Sequence, residues 1–237
     1  MHNSLRITYF VSALISCFFL SWILLASQAF FYPAIYEGAD FQQHMRRYAP
    51  QNRFKPNFAL TTPAEHKRMF AAINHAVHLA PQELENITYK TINSAEPKKL
   101  LHIREIQHLQ DVANFIHYLY LSGAVSILLL LACIVSMGSM QVRIASGRLM
   151  LLCTGVLAGL CAGVLLLFGP TKIFYWLHTL IFPKNHAWFF YYQDSLMSTL
   201  MKAPDLFAYI AIELVVLGGI LFTAQYFMLR RFLNGPY

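Results

Sequence analysis

Between Glu105 and Met137 the chain reads EIQHLQDVANFIHYLYLSGAVSILLLLACIVSM, and its change of character at Val112 decides the fold. From Val112 to Met137 no Asp, Glu, Lys or Arg interrupts the apolar run. Such a run, wound as a helix, is long enough to cross about 30 Å of hydrocarbon. Just ahead of it, Glu105, His108 and Asp111 recur at i, i+3 spacing. A helix that continues upstream of the membrane therefore carries an acid, an imidazole and a second acid along one face.

Three further runs have the same character, near residues 8–30, 149–168 and 206–228, alongside 112–137. The composition agrees: 57% of residues are hydrophobic and 12% charged, where soluble domains carry about 25% charged residues. The expectation is an all-α, multi-pass membrane protein, with residues 1–237 forming a single integral membrane domain of four transmembrane helices. The first run lacks a small-x-small cleavage site and leads into Phe30, Phe31 and Tyr32, so it reads as a retained helix. Arg6, Arg143, Arg148, Arg230 and Arg231 flank one side of these spans, against Lys172, Lys184 and Lys202 in the short loop on the other. The positive-inside rule then puts both termini in the cytoplasm. A large outer segment (32–111) and a smaller one (169–205) result.

All histidines except His2 fall in the outer half of this layout, and Glu213 is the one acid within a span. The net charge of +7 is spread among acids and aromatics. That dispersion speaks for anionic lipid headgroups and against nucleic acid. Cys17, Cys133, Cys153 and Cys161 all lie in the apolar runs, with no C-x-x-C. They read as small apolar packing residues rather than as thiol chemistry.

Within the large outer segment, Thr62 followed by Pro63 and Glu65 marks a helix start. Met69, Phe70, Ile73 and Val77 then recur at helical spacing until Pro81 stops it. The stretch 84–92 reads as helix or short strand, and 98–111 as a surface helix feeding the second span. In the third span Gly155, Gly159 and Gly163 form a small-residue stripe expected to pack against a neighbouring helix.

The smaller outer segment holds Trp176-Leu177-His178, then Trp188, Tyr191, Tyr192 and Asp194. An aromatic cluster at a membrane edge is first an interfacial belt. Two His segments at one water–lipid boundary, each with an acid nearby (Asp111, Asp194), point further, to proton-transfer chemistry. Glu213 is a functional candidate by position, with Tyr209 a candidate partner and a structural role equally open. His44, His66, His75, His78, His102, His117 and His186 read as background. His75 and His78 form an H-x-x-H without a third ligand at motif spacing, which is insufficient for zinc. Two non-enzymatic classes stand beside the enzyme reading. One is a membrane assembly or sensor subunit whose outer domain binds a partner. The other is a haem-binding subunit using His117, for which the third and fourth spans offer no facing His.

Four spans, a large first outer loop, E-x-x-H-x-x-D-V entering the second span (Glu105, His108, Asp111, Val112) and His178, Phe182, Trp188, Asp194 and Pro204 after the third resemble the lipoprotein intramolecular transacylase (Lit) family. The resemblance implies a bacterial cytoplasmic-membrane enzyme that needs no cofactor or metal. Its substrate would be a membrane lipoprotein, or a related acyl-lipid, presented in the bilayer. The family moves the sn-2 acyl chain of the diacylglyceryl group onto the amine of the N-terminal cysteine, giving the lyso form. It implies His108 and His178 as catalytic residues, supported by Glu105, Asp111, Trp188 and Asp194.

Overall fold

The computed structural model describes residues 2–234. The first apolar run folds as α1 (His2–Ser27), which ends earlier than expected. Ala29, Phe30 and Phe31 take left-handed backbone angles (φ 48, 50 and 45°), a conformation bulky residues rarely adopt. Burial offsets the strain. Phe30 and Tyr32 are both enclosed, Tyr32 stacks on Phe70 with centroids 4.0 Å apart, and its hydroxyl donates to the Leu200 carbonyl at 2.7 Å.

Helices α2 (Tyr32–Gly38), α3 (Phe41–Tyr48) and α4 (Pro63–Leu79) follow. The start of α4 is the one its sequence announces: Thr62 Oγ1 accepts from the Glu65 amide at 3.2 Å. The Glu65 carboxylate, however, turns away from the cap to Arg68 and the Lys90 amide. Strands β1 (Thr88–Thr91) and β2 (Ser94–Lys99) form an antiparallel hairpin, with Thr88 opposite Lys99 and Thr91 opposite Ser94. This corrects the helix expected from residue 98. Lys98 and Lys99 pair in the hairpin, and α5 (Ile103–Ser139) begins only where Glu105 Oε2 accepts the His102 amide at 2.8 Å.

After α6 (Gly147–Phe168), the segment read as loop contains α7 (Pro170–Ile181) and α8 (Leu196–Met201), before α9 (Asp205–Asn234). Helices α1, α5, α6 and α9 are each long and apolar enough to cross a membrane. The chain divides into two compact units. One, comprising residues up to Leu24, Leu119–Ile173 and from Ile212 on, holds most of these four helices. Here Phe19 lies against Gly123 of α5 and Phe18 against Gly218 of α9, so closely that an added Cβ would come within 2.2 and 3.1 Å of the rings. Ser16 and Ser126 hydroxyls also meet across α1 and α5 at 3.1 Å.

The Gly155, Gly159 and Gly163 stripe behaves otherwise. An added Cβ at any of the three meets nothing within 4 Å, so no helix among the described residues packs there. The expected packing role is therefore not filled by the described helices. Cys153 and Cys161 are exposed on the same helix, whereas Cys17 and Cys133 are buried packing residues. Glu213 Oε2 has no hydrogen-bond partner among the described residues, Tyr209 included. The second unit, Leu25–Tyr118 with Phe174–Ala211, contains the small helices, the hairpin, the first turns of α5 and most of α7.

Candidate active site

In this second unit α5 and α7 bring His108 and His178 together. Their ring centroids lie 6.1 Å apart at an interplanar angle of 33°. His178 projects from α7, where Nδ1 donates to the Phe174 carbonyl one turn earlier at 2.7 Å. A neutral ring donating from Nδ1 carries its lone pair on Nε2, so the His178 Nε2 is a proton acceptor. His108 is 7% exposed, and its Nδ1 has no hydrogen-bond partner among the described residues. A buried polar atom left unpaired costs about 1–3 kcal/mol, which a bound substrate or water relieves.

The walls are aromatic. Phe182 meets His108 edge-on at 4.9 Å and lies 5.2 Å from His178. Trp188 covers His178 at 5.2 Å, Phe174 sits 4.0 Å from the same ring, and Phe190 lies 6.0 Å from His108. Burial drives the His108 imidazole down to about 4, the neighbouring His178 adds to the shift, and Asp111 partly offsets it. Burial also lowers His178, with the Phe174 carbonyl working against it. Both rings therefore rest neutral at neutral pH, and once protonated each gives up its proton more readily than an ordinary imidazolium.

Glu105 and Asp111 flank His108 along α5, but the hydrogen bonds of both go elsewhere. Asp111 Oδ2 holds His186 Nδ1 at 2.6 Å, tying α5 to the segment that carries Trp188 and Phe190. Glu105 is 1% exposed. Its Oε1 accepts from the Ser195 hydroxyl at 2.5 Å and the Met197 amide at 3.1 Å, while Oε2 takes the His102 amide. Ser195 in turn caps α8, its Oγ accepting from the Ser198 amide at 3.0 Å. One turn to either side of His108, α5 thus grips the α7–α8 connection at both ends. Asp194 pairs with Arg53 at 3.2 Å.

Of the sequence-derived site residues, the structure unites His108, His178 and Trp188, gives Glu105 and Asp111 tethering partners, and pairs Asp194 with Arg53. His186, Ser195 and Phe190 contact these residues, and sequence reasoning missed them. His186 stands in an irregular loop where no spacing signals its partner. Among the described residues no three His, Cys, Asp or Glu side chains group as metal ligands.

A family model described as "Lipoprotein intramolecular transacylase Lit" matches residues 7–203, a span that contains both halves of this site. No curated protein and no solved structure matches the chain.

Proposed function

The chain belongs to the lipoprotein intramolecular transacylase family, and from that premise we propose that His108 and His178 carry the O-to-N acyl transfer that yields lyso-form lipoprotein. The substrate bears a diacylglyceryl thioether on its N-terminal cysteine. Its α-ammonium, with a pKa of about 7.7–8.0, first sheds one proton to solvent to become the attacking amine; as that amine attacks the ester it loses a further proton, and the departing glycerol oxygen must gain one. The new N–C bond forms at the sn-2 acyl carbonyl as the C–O bond to glycerol breaks. No electrons change hands, and one proton passes from nitrogen to oxygen.

His178 Nε2 takes the amine proton. Held below the ordinary imidazole value by burial, the resulting imidazolium releases the proton more readily and hands it on, directly or across His108, to the glycerol oxygen. Because amine and ester belong to one molecule, the enzyme's task is alignment, and the aromatic walls of Phe182, Trp188 and Phe190 provide it by restricting the acyl-glyceryl group. Exclusion of water by these rings protects the ester from hydrolysis.

The apolar run of α5 begins at Val112, so along that helix His108 lies about 6 Å above the hydrocarbon edge, within the polar interface. We place this level at the outer face of a bacterial cytoplasmic membrane, with both termini cytoplasmic and the segments 32–111 and 169–205 outside. The observation that carries the reading is the meeting of two neutral imidazoles from distant segments, one with an unpaired buried nitrogen. A scaffold subunit has no need of that pairing. Mass spectrometry of lipoprotein N-termini from cells with and without the gene tests it. Loss of the N-acyl, S-monoacylglyceryl species on deletion is the expected result, and an unchanged lipid pattern would overturn the assignment.

A further inference from the structure

A second concavity adjoins the dyad on the far side of Phe190, whose ring lies 6.0 Å from both His108 and His102. This cleft, of about 690 Å³, is lined by Arg53, Phe54, Lys55, His102 and Arg104 among others. It runs on into a shallower one of about 480 Å³ that shares Phe54, Lys55 and His102 and adds Lys98 and Lys99. The charges do not balance. Of the acids lining it, Asp194 is bound to Arg53, and the buried Glu105 is saturated by Ser195, Met197 and His102. Lys55 donates to the Lys99 and Leu100 carbonyls at 2.8 and 2.7 Å. Lys98, Lys99 and Arg104 have no carboxylate partner among the described residues. Phe54 and Ile103, 69% and 72% exposed, give the cleft an apolar floor as well.

Its height along α5 identifies what it meets. Arg104 lies about 12 Å above Val112 by helical rise, beyond a headgroup layer of roughly 5–8 Å per leaflet. His108, about 6 Å lower, sits within that layer. The part of the substrate that extends outward from the reacting cysteine is its polypeptide, and about two extended residues bridge 6 Å.

On the transacylase reading, on which this rests, we propose that the cleft is a subsite for the polypeptide following the acylated cysteine, favouring acidic over basic residues in its first few positions. The exposed Phe54 and Ile103 accept side chains of either kind, while the unpaired cations around Arg104 set the charge preference.

The test uses the purified full chain in neutral detergent with four synthetic lipopeptides: diacylglyceryl-cysteine amide without a tail, and the same headgroup with a four-residue neutral, acidic or basic tail. Tailed substrates should exceed the tail-less one in kcat/KM, and the acidic tail should exceed the basic one by about tenfold. Arg104→Glu should cut that acidic-to-basic ratio by about fivefold or more. Lys90→Glu makes the same change of charge on β1, outside the cleft, and should leave the ratio as it is.

Equal kcat/KM for all four lipopeptides would overturn the subsite while leaving the dyad intact. So would an equal effect of Lys90→Glu, which would mean a general field. A rate that follows added phosphatidylglycerol through Arg104, and not tail charge, would reassign the cleft to lipid headgroups. Transfer from none of the substrates would overturn the transacylase reading and the subsite with it.

Discussion

His178 faces His108 at a centroid distance of 6.1 Å while its own Nδ1 proton is committed to the Phe174 carbonyl. That hydrogen bond fixes the tautomer, and the tautomer fixes the role: the ring can only accept at Nε2. Replacing either His108 or His178 with Ala should lower the rate by about 10²–10⁴-fold. The double variant should fall little beyond the weaker single one, because residues acting as one unit are not additive. The measurement is single-turnover conversion of a diacylglyceryl lipopeptide to the lyso form, with folded protein quantified in parallel. Full activity in either variant would reject the dyad.

Asp111 and His186 predict a different pattern. Their 2.6 Å contact anchors the loop whose Trp188 and Phe190 wall the dyad, and it commits Asp111 Oδ2 and His186 Nδ1 to each other. Asp111→Asn, which keeps an acceptor, should cost a few-fold and His186→Ala about tenfold, with KM rising in both as the wall loosens. The double variant should cost no more than His186→Ala alone. A His186→Ala loss as deep as that of His178→Ala, at unchanged KM, would make His186 a proton carrier instead.

The sequence disclosed most where long-range regularity exists. Val112–Met137 announces itself because a charge-free run has one destination, and Thr62-Pro63-Ala64-Glu65 because capping is local chemistry. Helix α7 was legible and overlooked. Gly169 (φ 78°) with Pro170 at the start and Pro183 just past the end punctuate it, and Thr171, Lys172, Tyr175, His178 and Thr179 share one helical face opposite Ile173, Trp176, Leu177, Leu180 and Ile181, a period masked by the aromatic density that reads as an interfacial belt. By contrast, β2 exists because Lys98 and Lys99 find β1, and Asp194 turns to Arg53 through a contact set by the folded chain. Such pairings belong to tertiary structure, and no spacing in the sequence encodes them.

Topology is open to a direct test. In a variant lacking Cys17, Cys133, Cys153 and Cys161, Lys90→Cys should react with a membrane-impermeant maleimide added to intact spheroplasts. Arg143→Cys should react only after lysis. The expectation rests on the excess of arginine flanking the proposed inner side. The reverse labelling pattern would invert the protein and place the dyad on the cytoplasmic face.

Glu105 should matter for folding more than for chemistry. It is buried with both carboxylate oxygens receiving donors from Ser195, Met197 and His102. In Glu105→Gln one oxygen becomes an amide NH₂ facing donors, leaving at least one buried group unsatisfied at a cost of about 1–3 kcal/mol. The thermal midpoint should drop, while kcat of the fraction that remains folded stays within a few-fold of the parent. A normal midpoint with abolished turnover would move Glu105 into the catalytic machinery.

Acid should loosen the unit that carries the site. His44, His66 and His108 are buried, and burial holds each near 4, whereas an imidazole in the unfolded chain titrates near 6.5. His66 shows why. Its Nδ1 and Nε2 already meet the Tyr36 hydroxyl at 2.7 Å and the Thr61 hydroxyl at 2.6 Å, an arrangement complete for the neutral ring. Above pH 6.5 neither state binds these protons and stability is indifferent to pH. As pH falls from 6.5 toward 4 the unfolded chain takes them up and the folded one does not. Each ring then removes about 1.4 kcal/mol per pH unit. Melting of the purified protein should therefore be flat from pH 8 to 7 and fall steeply from 6 to 5. His66→Gln should make the acid slope shallower even if it lowers the midpoint throughout. A midpoint unchanged between pH 7 and 5 would show that these rings are not held neutral, and with them the resting state assigned to the dyad would fall.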